Sequence, residues 1–218
     1  MSKLLNEHAK GVYIIAATPF FDDDSIDYDS LDRLTDFYLE KGVSGITILG
    51  MMGEAQKLSP DESKNVMNRV IKRVDGRVPV IVGVSNPDIK KLIKLSNSAM
   101  AAGAAGIMVA PNSSHHNDET IFNYYVEVDK ALESKIPMIY QDFPLVTKAP
   151  ISLDCLMRII REIPQVVMLK HEDWPGLEKL SELRSRSKAE GLRRISILCG
   201  NGGLYLPQEL SRGDDGAM

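Results

Sequence analysis

Cysteine is nearly absent from this chain: Cys155 and Cys199 are the only two in 218 residues. Two isolated thiols build neither a disulfide framework nor a metal-ligand pattern. Cys199, set in an apolar run, reads as an inert buried thiol. Long hydrophobic runs are missing as well. The longest are strand-sized, too short to span a bilayer, and residues 1–8 lack the apolar stretch of a secretory signal. These absences fit a reducing cytoplasm and argue against a membrane partner. The basic excess of a nucleic-acid binder is missing too. Lys+Arg total 26 against 30 Asp+Glu, a formal net charge of −4, and no basic stripe or aromatic-interleaved patch stands out. What remains is an ordinary globular composition, 44% hydrophobic and 26% charged, long enough for one large core. No linker, second domain or low-complexity segment interrupts it, so residues 1–218 read as one unit.

The chain repeats a beat of short β-branched run, polar loop and helical pattern. Strand-like runs occupy 12–17, 45–49, 79–83, 105–109, 137–141, 166–170 and 195–199, so successive starts are 26 to 34 residues apart. A weaker eighth piece is 213–218. Between them lie amphipathic stretches; 27–41 places Leu31, Leu34, Phe37 and Tyr38 at helical spacing. Ser59-Pro60-Asp61-Glu62 has the form of a capping box with proline at the first helical position. Asn86-Pro87-Asp88 and Asn117-Asp118-Glu119 read as further helix starts, and Gly42, Gly76, Gly103 and Gly191 as stops. Continuous apolar strands are buried on both faces, which implies a parallel sheet with helical crossovers. Seven or eight such units favour an α/β fold of the (β/α)8 TIM-barrel type. A doubly wound open sheet is the competing arrangement, but no G-x-G-x-x-G follows the first strand.

In such a barrel the chemistry collects where strands end. Lys170 is the foremost candidate, because it ends the run Val166-Val167-Met168-Leu169-Lys170. An ammonium on an apolar strand is unfavourable to bury, which makes the neutral amine accessible, and a neutral amine can attack a ketone to form a Schiff base. Alone, the motif reads better as a solvated lysine just past a strand; the rest of the chain overturns that. The other strand ends are Thr18-Pro19-Phe20, Gly50-Met51-Met52-Gly53-Glu54, Gly83-Val84-Ser85, Pro111-Asn112, Gln141-Asp142-Phe143-Pro144 and Gly200-Asn201.

Taken in order along the βα beat, these signposts resemble the dihydrodipicolinate synthase / N-acetylneuraminate lyase family, and the resemblance covers nearly the whole chain. It rests on Thr18-Pro19-Phe20, Gly50-x-x-Gly53-Glu54, Pro111, Pro144, Lys170, Gly200-Asn201 and Gly213-x-x-Gly216-Ala217. The resemblance implies a class I aldolase, lyase or dehydratase that needs no cofactor, with Lys170 forming the imine to pyruvate or a related 2-oxo acid. It further implies carboxylate binding by the loop of Gly50, Met51 and Met52, with Thr18, Gly200 and Asn201 on the cavity wall, and assembly as a homo-oligomer.

The chain departs from the family pattern at three points. Met51 and Met52 stand where the family has two hydroxyl residues. Backbone anion binding can survive that change, but a hydroxyl proton relay cannot. At the end of strand five, Gln141 stands where the family has its catalytic tyrosine, and Tyr140 is one residue early. Strand side chains alternate, so Tyr140 points to the other face unless a bulge intervenes. Gln141, Tyr140, Asp142 or a water is then left to move protons. Val146 occupies the position of the arginine that holds an aldehyde's carboxylate in the synthases, which argues against that activity. A non-catalytic or degenerate barrel is the alternative.

His171, Glu172 and Asp173 follow the lysine at once. One of them could poise a proton beside the imine, or they could cap the next helix. Glu54 reads as a structural carboxylate that bonds loop N–H groups. His115-His116 read as a solvated or rim pair rather than a metal site, and residues 204–210 as a helix after a glycine-rich turn on the cavity wall. Compared with the family, the sequence stops inside the eighth strand, without the last helix and the C-terminal helical extension. The expectation is an apolar sheet edge left open to solvent.

Overall fold

The computed structural model describes residues 4–132, 135–174 and 176–218; Pro175, in the polar segment after Lys170, lies outside them. Eight parallel strands close into a barrel in sequence order. They are β1 (Gly11–Ile15), β2 (Gly45–Ile48), β3 (Val80–Gly83), β4 (Gly106–Val109), β5 (Met138–Asp142), β6 (Val166–His171), β7 (Ser196–Cys199) and β8 (Gly216–Ala217). The helices are α1 (Tyr28–Glu40), α2 (Pro60–Val74), α3 (Ile89–Ala102), α4 (Asp118–Ala131), α5 (Pro144–Thr147), α6 (Leu153–Glu162), α7 (Leu177–Ala189) and α8 (Leu206–Leu210). None among the described residues is long and apolar enough to cross a membrane. The doubly wound alternative is excluded by closure.

Local chemistry sets the helix ends. Ser59 accepts from the Glu62 N–H while the Glu62 carboxylate accepts from the Ser59 N–H, so the capping box starts α2. Asp27, Asp88 and Asn117 cap α1, α3 and α4 through side-chain oxygens. Gly103 ends α3 in the left-handed region at φ 102°, where a Cβ would be strained.

Two apolar layers follow from strand alternation. Outward-facing residues such as Ile46, Val82, Ile107, Met138 and Leu169 pack under the helices. The amphipathic α6, for example, buries Leu156, Ile159 and Ile160 there, each worth about 1.5–3 kcal/mol of transfer free energy. Inward-facing Tyr13, Ile15, Ile81, Met108, Ile139, Met168 and Leu198 fill the barrel axis.

The sheet edge expected at the end of the chain does not exist. β8 pairs with both β7 and β1, and the side chain of Met218, which follows it, joins the inner cluster. What stays uncovered is the outer face of β1, where Val12 is 46% exposed.

One irregularity determines the site. β5 alternates regularly, but Met138 pairs with Val166 while Ile139 pairs with Met168. Val167 is therefore an extra residue on β6, a bulge. Val167 and Met168 both face the axis, and Leu169 returns to the outer layer. Counted from Val166 by simple alternation, Lys170 would face the helices; the bulge turns it inward.

Candidate active site

Beyond the bulge, β5 and β6 run in register, with Gln141 beside Lys170 and Asp142 beside His171. Side chains of register partners share a face. Gln141 and Lys170 point into the barrel at its C-terminal end, while Tyr140, Asp142 and His171 point outward.

The inward group is compact. The Lys170 ammonium lies 3.0 Å from Glu172 Oε1, with the two side chains only 7% and 6% exposed. Gln141 Nε2 donates to Glu172 Oε2 at 2.8 Å, and the Asn201 N–H approaches Oε1 at 3.5 Å. Gly200 makes this arrangement possible, because a Cβ there would sit 2.1 Å from Glu172 Cγ. Glu172 is aligned by the sheet itself, its N–H donating to Asp142 O at 2.9 Å. The carboxylate thus has one oxygen fixed by an amide and the other turned to the amine. Of the three residues following the lysine, Glu172 is the one beside it; sequence left that choice open.

The loop after β2 is held by its own backbone. Gly53 N donates to Gly50 O, Glu54 N to Met51 O, and the Thr18 hydroxyl to Gly53 O at 2.7 Å. The Met51 and Met52 N–H groups donate to no acceptor among the described residues, and both side chains are exposed. Two free amides in a glycine-bounded turn can hold an anion. Thr18 therefore acts first on the loop. Glu54 pairs with the Lys57 ammonium, not with the loop N–H groups expected for it.

Tyr140 and Asp142 do not join the site. Tyr140 is fully buried under the helices, stacked on Tyr125 with ring centroids 4.8 Å apart. Its hydroxyl has no partner among the described residues, and burial raises its pKa well above the usual phenol value. The bulge lies before it and on the neighbouring strand, so it does not turn Tyr140 inward. Asp142 accepts from Lys179 of α7 at 2.7 Å, and Lys179 also reaches Asp173 at 3.0 Å. Burial raises the Asp142 pKa more than Lys179 lowers it. For Lys179, burial works downward, but the two carboxylates outweigh it and the pKa is raised. Asp142 and Asp173 thus clamp α7 to the barrel.

His171 also faces outward, its Nδ1 3.0 Å from Glu209 of α8. Beyond Glu209 lies Asp214, whose carboxyl has no donor among the described residues. Two facing carboxyls can bond only if one keeps a proton. Burial, and then the bond to Glu209, put it on Asp214, whose pKa is raised to about 9. Cys199, beside this chain of groups, is pushed up to about 12 by burial. At the rim, the Trp174 ring stacks on Tyr205 with centroids 3.5 Å apart. His115 stacks on Tyr124 at 4.3 Å. A groove of about 720 Å³ on α2, lined by Arg69, Arg73 and Arg77, shares no residue with the barrel-end group.

The chain is similar to proteins of known kind. The profile of the Dihydrodipicolinate synthetase family matches residues 8–218. A crystal structure of dihydrodipicolinate synthase from Rhodopseudomonas palustris superposes with a TM-score of 0.96 at 47% identity, over 100% of this chain and 72% of that one. The 4-hydroxy-tetrahydrodipicolinate synthase of Phocaeicola vulgatus is 25% identical over 94% of this chain and 67% of its own length. The enzyme of the same name from Sorangium cellulosum is 35% identical over 73% of this chain and 53% of its own. The chain therefore spans about half to two thirds of the length of these curated relatives.

Proposed function

The chain belongs to the Dihydrodipicolinate synthetase family, and from that premise we propose that it is a Schiff-base lyase, aldolase or dehydratase acting on pyruvate or a related 2-oxo acid. Lys170 is the nucleophile. Its amine attacks the keto carbon, water leaves, and the resulting iminium withdraws electrons from the neighbouring carbon, which allows aldol cleavage, addition or loss of water. The observation that carries this reading is the inward, buried Lys170 at the C-terminal end of a closed barrel, with a carboxylate 3.0 Å from its nitrogen. The unbonded Met51 and Met52 amides take the substrate carboxylate, while Gly50, Thr18, Gly200 and Asn201 shape the turns around it.

The relatives' names describe a synthase. Val146, at the position of the synthases' arginine, is apolar and 52% exposed and cannot give the bidentate contact an arginine gives a carboxylate. The proposed substrate therefore has no second carboxylate anchored there, and the reaction is not that of the synthases. The single-barrel unit is read as cytoplasmic and as forming a homo-oligomer.

The test is to incubate the protein with pyruvate, reduce with borohydride, and map peptides by mass. The expected result is one pyruvate-sized increment on the peptide holding Lys170. A folded protein that gains no increment, or gains it on another lysine, overturns the assignment and leaves a barrel that binds a keto acid without turnover as the reading.

A further inference from the structure

We propose that Glu172 is the acid–base catalyst of this site, moving every proton that imine and enamine formation require. The inference rests on the Schiff-base reading of Lys170 and goes beyond it. It starts from a vacancy in function: Tyr140 is outside the barrel, Asp142 is clamped to Lys179, and the side chains of Met51 and Met52 carry no exchangeable proton. Gln141 reaches the inward group, but an amide neither gives nor takes a proton at neutral pH. Glu172 is the one acid or base ion-paired with Lys170 Nζ among the described residues, its Oε1 3.0 Å away, a heavy-atom separation that proton transfer can use.

Its geometry suits repeated transfer through one oxygen. Gln141 occupies Oε2 at 2.8 Å, so Oε1 is the oxygen turned to the amine. The sequence of protons then closes without any other group. Oε1 takes a proton from the Lys170 ammonium, leaving a neutral amine and a carboxylic acid. The amine forms the bond to the keto carbon, the carbonyl π pair moves to oxygen, and Glu172 returns the proton to that oxygen. It next removes a proton from the new N–H2⁺, giving the neutral carbinolamine. The nitrogen lone pair then forms the C=N bond as the C–O bond breaks, and the departing oxygen takes the proton from Glu172 and leaves as water. The iminium and a carboxylate remain, the net change being loss of one water. The same carboxylate can then take a proton from the adjacent carbon, whose C–H pair becomes the enamine double bond while the C=N π pair returns to nitrogen.

The experiment compares two readouts on the full chain with pyruvate as the probe: the borohydride-trapped mass adduct, and exchange of the pyruvate methyl protons in deuterium oxide followed by NMR. The parent chain should give both. Glu172→Gln should still trap adduct on Lys170 at saturating pyruvate, more slowly, while methyl exchange falls by about 10²- to 10⁴-fold. Glu172→Asp keeps the charge and draws the carboxylate back by one methylene; it should lose about tenfold in exchange with adduct intact, and it is the deciding variant if Glu172→Gln does not fold. Adduct with exchange at parental rate in whichever of these variants folds overturns the role of Glu172 alone. Adduct without methyl exchange in the parent chain overturns it as well, since no proton is then taken from carbon. Absence of adduct in the parent chain overturns the Schiff-base reading, and this inference with it.

Discussion

The barrel wall made by β5 and β6 has a buried lysine–carboxylate group on each side. Inside, Lys170 faces Glu172, and only Gln141 and a loop amide complete the set. Outside, Lys179 is held by two carboxylates, Asp142 at 2.7 Å and Asp173 at 3.0 Å. The chemistry of the two groups is nearly the same, but their settings differ. The inner amine has one partner, which can relieve it of a proton, and it sits at the end of the barrel where loops diverge. The outer amine, on α7, is shared between two anions on the helix-facing side of the wall. A buried ion pair alone therefore does not mark a catalytic site; the proposed one differs from the outer clamp in its face of the wall and its number of counter-charges.

Four substitutions sharpen that contrast. Lys170→Ala should abolish the trapped pyruvate adduct altogether while leaving the circular dichroism spectrum of the parent; an adduct of undiminished yield would break the comparison at its first term. Lys179→Met should act in the opposite way. It strands Asp142 without its cation and should cost about 3–5 kcal/mol of stability in urea melts, yet the protein that remains folded should trap pyruvate as before. If adduct yield per folded molecule falls with it, the outer clamp is not merely structural.

The outer face predicts a pH dependence. Asp214 has a folded pKa of about 9 against an ordinary value of 3.8. The unfolded chain therefore releases this proton at lower pH than the folded chain. Its contribution is whole below about pH 4, is lost progressively as pH rises toward 9, and changes no further above that. Asp214→Asn, which keeps a donor toward Glu209, should match the parent at pH 4 and gain on it steadily as pH rises to 8. Urea melts at the two pH values check this, and a difference between variant and parent that does not grow from pH 4 to pH 8 would contradict it. The smallest effect belongs to Tyr140→Phe. The hydroxyl removed is buried without a partner, so stability should change by no more than about 1 kcal/mol and in the favourable direction, with methyl exchange unaltered. A large loss of exchange would put Tyr140 back among the catalytic groups.

The strands were legible because most are apolar runs bounded by polar loops; the predicted ends of β2 to β7 agree within one residue, while those of β1 and β8 are off by up to two and three. The outward face of Tyr140 was legible for a related reason: β5 alternates without interruption, so counting from Pro137 to Pro144 sufficed. Lys170 was found through the order of motifs, not through any local signal for its direction. Val167 and Met168 look like ordinary strand residues, and nothing in Val166-Val167-Met168 marks which of them is the extra one. Glu172 was hidden by composition. His171-Glu172-Asp173 reads as the start of a loop, whereas β6 continues through His171 and Glu172 still donates to Asp142 O. Each of the three polar residues was given by the sequence; their separation onto opposite faces depended on hydrogen bonds between strands distant in the chain. The closed edge at β8 was missed because two residues suffice to pair both neighbours.

The bulge at Val167 has a genetic consequence. Loss of that one codon would remove the extra residue without disturbing the pairing beyond it, because Val166 would then be followed directly by Met168. Plain alternation would then keep Met168 and Lys170 inward and leave Leu169 and His171 toward the helices. An in-frame deletion of that single valine is therefore a change the orientation of the site should survive, whereas straight pairing that kept all six residues of β6 would turn Lys170 toward the helices.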